Sequence, residues 1–248
     1  MTQANIFGGD SQAVSRLRKF CMALTLLTLI APAFAGEKGW GGFYGQVSTG
    51  YEEDLLQSLN VVTTTNGETK NEHGSDERIR GVPLVFGFGY IFDIYKDFKL
   101  GVGVDYSALT QSQVMVPKAK GGAANTFYIQ NRTSIFLSPS WQIDESKLLY
   151  LKAGYSTQKI TEDRVGNSTQ SAYNIAGWQN GYILGAGYKQ EIYKGIYGFI
   201  EANYMQYNNV DLSSSHTTYS EGKSYPSTTF QNPKGITYTT LAGIGYRF

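Results

Sequence analysis

Four charged side chains draw attention by where they fall: Asp105, Arg132, Lys152 and Glu201. Each sits near the middle of a run in which apolar and polar residues alternate, and each takes the polar parity. Charges held in a low-dielectric interior need partners. The pattern therefore predicts an internal network in which Asp105 and Glu201 meet Arg132 and Lys152. Such a network has two uses, a plug of paired charges that stabilises the fold or a narrow path for ions. Lys99 and Arg247 share the parity nearer to strand ends. A second cluster, Asp211, Ser213, Ser214, Ser215 and His216, holds the residue types of Ser–His catalysis. That chemistry needs the base within hydrogen-bond reach of the hydroxyl and oriented by a third group. The two histidines of the chain, His73 and His216, both fall in long polar connections, a poor place to hold such geometry. No catalytic, metal-ligating or cofactor-binding set is expected.

The elements that must position these charges are strands. Eight alternating segments are readable, at about 42–51, 81–92, 98–109, 126–143, 148–159, 178–189, 196–207 and 236–248. The third is the cleanest: Phe98, Leu100, Val102, Val104 and Tyr106 alternate with Lys99, Gly101, Gly103, Asp105 and Ser107. A period of two describes strands whose two faces meet different surroundings. The connections sort into two sets. Asp93–Asp97, Asp144–Lys147 and Gln190–Gly195 are short, whereas 52–80, 110–125, 160–177 and 208–235 are long and polar. Short turns on one side and long loops on the other suit a transmembrane barrel, whose backbone groups must all pair within the protein. The expectation is an all-β, closed, antiparallel, eight-stranded up-and-down transmembrane β-barrel. Outward aromatics would form two girdles, with Phe92, Phe98, Trp141, Tyr188, Tyr246 and Phe248 in one. Tyr51, Tyr106, Phe127, Tyr155, Tyr204 and Tyr238 would form the other.

Composition agrees with such a wall. The mean hydropathy is −0.28 although the chain has 19 Tyr, 13 Phe and 29 Gly. At the N-terminus Arg16, Arg18 and Lys19 precede an apolar run from Phe20 to Ile30, and Ala33-Phe34-Ala35 gives a small-x-small site. This reads as a cleaved secretory signal peptide over 1–35, with cleavage after Ala35 and a barrel domain over 36–248. The sole cysteine, Cys21, lies in the leader, so no disulfide is expected in the mature chain. A mature net charge of −1 leaves no footprint for nucleic acid.

The chain closes on Gly243, Tyr246 and Phe248, alternating to the last residue. This segment resembles the C-terminal assembly signal of bacterial outer-membrane β-barrels, with Leu241 in place of the usual polar residue. With the strand pattern, it makes the chain resemble the small outer-membrane barrel superfamily that includes the OmpA transmembrane domain, OmpX and the opacity-type surface proteins. The resemblance implies residence in a Gram-negative outer membrane, with both termini periplasmic and the long loops outside. It implies contact with outer-membrane lipid and lipopolysaccharide, and handling by the barrel-assembly machinery. No wall-anchoring domain is expected. Some barrels of this kind modify lipid A, but the deacylase pattern His-x-Ser-Asn is absent, since Thr217, Thr218 and Tyr219 follow His216. A structural or surface-interaction role is therefore expected. The Ser- and Thr-rich loops, 61–71 and 213–227, either bind an extracellular ligand or are plain solvated connections.

Overall fold

The computed structural model describes residues 39–57, 60–73, 76–115 and 125–248. The leader, with Ala33 and Ala35, lies outside the described residues. Residues 39–247 form one compact unit. All described elements are strands: β1 (Gly42–Gln57), β2 (Asn60–Thr65), β3 (Glu68–His73), β4 (Glu77–Gly81), β5 (Leu84–Tyr95), β6 (Phe98–Ser107) and β7 (Gln111–Met115), then β8 (Asn125–Asp144), β9 (Lys147–Arg164), β10 (Tyr173–Tyr193), β11 (Ile196–Tyr207), β12 (Leu212–Ser220), β13 (Lys223–Gln231) and β14 (Lys234–Arg247). Every pairing is antiparallel. The count is fourteen rather than the eight expected.

Eight of the strands account for the expected segments. They pair in the order β1, β5, β6, β8, β9, β10, β11, β14, and β14 pairs in turn with β1. The tight connections are two-residue turns. Lys194 and Gly195, at φ 41° and 84°, form one; the double left-handed backbone matches the twist of the flanking strands. At Glu145-Ser146, the Asp144 carboxylate accepts hydrogen bonds from the Ser146 amide and hydroxyl, both at 2.8 Å.

At the other end the strands outrun their expected limits. β1 continues to Gln57, β9 to Arg164, and β10 begins at Tyr173. β4 lies on β1 beyond β5, and β7 lies on β8 beyond β6, so these short strands prolong two walls of the ring. Two connections that read as solvated loops are hairpins. β2–β3 turns at Asn66-Gly67 and β12–β13 at Glu221-Gly222, all four residues with positive φ. The hairpins pair with each other through β13 and β2, giving a separate four-stranded sheet in the order β12-β13-β2-β3.

The middle of the ring is apolar outside and polar within. On β6, Val102, Val104 and Tyr106 are exposed, while Lys99, Gly101, Gly103, Asp105 and Ser107 are buried. The parity holds around the ring with one break. In β8 a bulge between Gln130 and Thr133, with Asn131 at φ 54°, adds a residue and reverses the faces. Below it Ile135, Leu137 and Trp141 face outward; beyond it Phe127 and Ile129 turn inward and are buried. Phe127 therefore leaves the aromatic girdle expected of it and joins an interior cluster with Leu56, Ile79, Ile160, Ile175 and Leu212. Asn131→Val disfavours the positive φ that the bulge uses, and a regular ladder of unchanged length would drive Phe127 and Ile129 to the surface. At ~1.5–3 kcal/mol for each buried side chain, the variant should lose several kcal/mol in urea unfolding followed in detergent micelles. An unchanged midpoint would show that the bulge carries no packing.

Candidate functional site

The interior of the ring is built in layers. Nearest the short turns, Trp40, Tyr44, Ile91, Leu148, Tyr197 and Phe199 pack together, with the Trp40 and Tyr197 rings edge-on at 5.5 Å. Gly243 and Gly245 lie beneath these rings. A Cβ at Gly243 would stand 2.6 Å from Phe199 Cε1, so this glycine is required by packing as well as by any role in assembly. Lys189 enters the same layer. Its ammonium lies 4.0 Å from the centre of the Tyr44 ring and 5.0 Å from that of Tyr197, a cation held by aromatic faces.

The next layer holds three of the four charges singled out from the sequence. Lys152 Nζ donates to Glu201 Oε1 at 2.9 Å and to Asp105 Oδ2. Glu201 also accepts from the Tyr150 hydroxyl at 2.7 Å and from Asn203 Nδ2 at 2.8 Å. The Phe136 ring lies 4.2 Å from the ammonium. Arg132 stands apart from this group. It makes a two-pronged pair with Glu52, one arm at 3.0 Å, and its guanidinium lies 3.9 Å from Asp54. Asp54 accepts from the Thr237 hydroxyl. The expected single network of Asp105, Arg132, Lys152 and Glu201 is thus two clusters: Arg132 lies two residues beyond Ser134, the partner of Asp105 across β6 and β8, and is met there by Glu52. Glu52, Asp54 and Lys189 were missed. Continuing the parity of β1 past Tyr51 places Glu52 and Asp54 on the inner face beside Arg132. Between the clusters a cavity of about 20 Å³ remains, room for about one water molecule.

The apolar cluster of Leu56, Ile79, Phe127 and Ile129 closes the far side. The hairpin sheet is fastened there: Leu212 joins the cluster, and Gln231 Nε2 donates to the buried Glu162 at 2.7 Å. His216 of β12 is buried and stacks on Tyr173 at 4.8 Å. Ser213 and Ser215 point to the opposite, exposed face; Ser214 shares the face of His216, but neither imidazole nitrogen has a side-chain hydrogen-bond partner, and Asp211 accepts from the Asn232 amide instead. The residues of the Ser–His cluster are therefore not brought together. Among the described residues no group of metal-ligating side chains forms.

Two expectations follow from these contacts. Lys152→Met leaves Asp105 and Glu201 buried without their cation, and removing one partner of a buried pair costs ~3–5 kcal/mol. Urea unfolding in micelles should show that loss, with much of it recovered when Asp105→Asn and Glu201→Gln are added; a loss within error would mean that water shields the pair. The second concerns pH. Burial holds the His216 imidazole below its ordinary 6.5. The unfolded hairpin then binds more protons than the docked one between the two values. Stability rises with pH there and is lost as pH falls below ~6.5. Burial raises Glu162 above its usual value, so its protonation works in the opposite direction on acidification. Proteolysis within 212–231 should accelerate from pH 7.5 to 5.5 more in the parent than in His216→Phe. Equal acceleration would remove His216 from the account.

No family model and no curated protein matches this chain. Solved structures do share its fold. The outer membrane protein OprG from Pseudomonas aeruginosa is 13% identical, with a TM-score of 0.52 over 86% of this chain and 99% of that one. The outer membrane protease OmpT from Escherichia coli is 10% identical, with a TM-score of 0.50 over 84% of this chain and 97% of that one. At these identities the likeness shows the fold, an all-antiparallel β-barrel of the kind found in outer-membrane proteins.

Proposed function

We propose that the chain is an integral outer-membrane protein, non-enzymatic, whose barrel is plugged and whose hairpin sheet is its surface-interaction element. The cycle of eight strands is then a closed transmembrane barrel, with short turns in the periplasm and the hairpins outside. The observation that carries this reading is the inverted polarity of the ring. Leu137, Leu151, Leu184, Ile200 and Ile244 are about half exposed or more, while Lys152 and Glu201 are buried. A continuous apolar outer face of that size needs an apolar surrounding.

The dimensions support it. From Tyr246 to Tyr238 along β14 is about 27 Å at ~3.4 Å per residue, and a tilt of ~40° leaves about 20 Å of height, near the ~25 Å of a lipid-facing band. Tyrosine hydroxyls point away from the band at both margins. At the outer one Tyr51 donates to Glu53 at 2.8 Å, Tyr106 to Asn131 at 3.3 Å, and Tyr182 and Tyr204 to Gln206 at 2.9 and 2.8 Å. At the inner one Tyr188 donates to Gln190 at 3.0 Å. Rings in lipid with hydroxyls toward water are the behaviour of interfacial girdles.

Folded protein should migrate faster in unboiled than in boiled gel samples, and planar bilayers should show no reproducible conductance steps. Identical migration would count against a stable barrel, and steady single-channel steps against the plug. Gly243, Tyr246 and Phe248 are assigned to recognition by the assembly machinery. Deleting Phe248 should lower the outer-membrane yield of folded barrel more than trimming the β12–β13 hairpin does; equal yields would defeat that assignment.

A further inference from the structure

Just above the outer tyrosine girdle, one stretch of wall carries exposed cations on its outward face. Arg78 and Arg80 of β4 alternate with the buried Ile79 and are about 60% exposed, at 60% and 59% by side chain. They continue the outward parity of Val82, the last apolar residue on that wall. The pairing of β4 with β1 sets Arg80 beside Glu53 and Arg78 beside Leu55. On the other flank of β1, Tyr238 pairs with Glu53 and Lys234 with Gln57, both on the outward parity. Arg78, Arg80 and Lys234, with Glu53 between them and Asp76 at the end of β4, thus share a strip three strands wide at the upper edge of the apolar band.

The central carboxylate is already occupied. Glu53 Oε2 accepts from Arg80 Nε at 2.8 Å and from the Tyr51 hydroxyl at 2.8 Å, and Oε1 accepts from Arg78 Nη1 at 3.4 Å. Each guanidinium has five N–H donors, and the pairing with Glu53 uses one on each. Glu53 acts as a spacer that holds two forks side by side, and the strip keeps a net positive charge. Exposed pairs of this kind add little to stability, so the arrangement has no evident structural purpose.

We propose that Arg78 and Arg80, steered by Glu53 and flanked by Lys234, bind a phosphate group on the head of an outer-leaflet glycolipid. The inference rests on the outer-membrane reading and narrows it to one site and one ligand chemistry. Planar guanidinium forks match phosphate oxygens two at a time. Arg80 lies on the rung of Glu53 and Tyr238, two residues above Tyr51, and Arg78 two residues further; that height is where the head of a lipid lies when its chains run along Val82, Phe86 and Phe88. A soluble phosphate would gain the forks without the apolar wall beneath them.

The test uses full-length refolded protein in detergent micelles, with bound lipid counted by native mass spectrometry. The probes are lipid A, lipid A with its phosphates removed, and inorganic phosphate. Lipid A should bind, the dephosphorylated form at least tenfold more weakly, and inorganic phosphate should not compete at millimolar concentration. Arg78→Gln with Arg80→Gln should weaken lipid A binding at least tenfold, while Lys223→Gln on the distal hairpin should not. Equal affinity of the double variant and its parent overturns the site, as does effective competition by inorganic phosphate. Membrane fractionation separates the two levels. A double variant that remains folded in the outer membrane yet binds lipid A normally sinks the site alone. A parent chain absent from the outer membrane sinks the site together with the reading beneath it.

Discussion

A lysine ammonium lodged between two carboxylates is the interaction around which this interior is arranged. Lys152 is 2% exposed, and an unpaired charge at that depth is unaffordable. Asp105 and Glu201 answer it, and their own remaining oxygens then need donors. Tyr150 and Asn203 supply Glu201. Side chains of this bulk fit because their partners on the neighbouring strands give up theirs. A Cβ at Gly87 would stand 2.6 Å from Asp105 Oδ1, and one at Gly187 would stand 2.7 Å from a Tyr150 ring carbon. The inner glycines are therefore the complement of the ion pairs, and the sequence needs both together. Arg132 keeps the inward parity of Ser134 and Phe136 and aims at Glu52, while the bulge beside it turns Phe127 and Ile129 inward above the pair.

The outside obeys a different constraint. Every wall exposes branched aliphatics and aromatics, and every margin sets hydroxyls, amides or charges just beyond them. The polar connections at the far end extend this scheme rather than ending it. β8, β9 and β10 run to 20, 18 and 21 residues, about twice the ~9–11 needed to span a bilayer. Once clear of the apolar band, the inner face changes character. Leu56, Ile79, Ile129, Ile160 and Ile175 form an ordinary hydrophobic core there, as the proposed emergence of the strands into water requires. That core is what the two hairpins dock on, through Leu212 and Gln231.

The regular part of this design was legible in the sequence. Strand parity on β5, β6, β9 and β14 follows from alternation alone, and β11 begins and ends where the pattern placed it. The departures have local causes. Alternation assumes a regular ladder, and the extra residue at Asn131 breaks that assumption without leaving a Gly or Pro to mark it; Phe127 was misassigned as a result. β1 was ended at Tyr51 because Glu52-Glu53-Asp54 looks like solvated loop, although two of the three carboxylates are buried against Arg132 and Thr237. The hairpins left a readable trace. Asn66-Gly67 between Val61–Thr65 and Glu68–Glu72 is the dipeptide most suited to a two-residue turn, and polar composition alone concealed it. Pairing between β2 and β13, more than 160 residues apart, has no local signal.

The layered interior favours the proposed plug over a path. Among the described residues, Glu52, Asp54, Asp105 and Glu201 face Arg132, Lys152 and Lys189, so nearly every charge is met within the protein. An ion moving along the axis must break one of these pairs and leave its partner buried. Before reaching them it must also pass an apolar layer, Trp40, Tyr197 and Phe199 on one side or Leu56, Ile129 and Ile175 on the other. The effective cost of desolvating an ion in such surroundings is several kcal/mol, and a cavity with room for about one water molecule offers little solvation in return. Conduction through this barrel would require both apolar layers and both ion clusters to rearrange together. The same contacts that hold the walls apart at a fixed spacing are the ones that close the passage, so stabilising the barrel and sealing it are a single outcome of one packing arrangement.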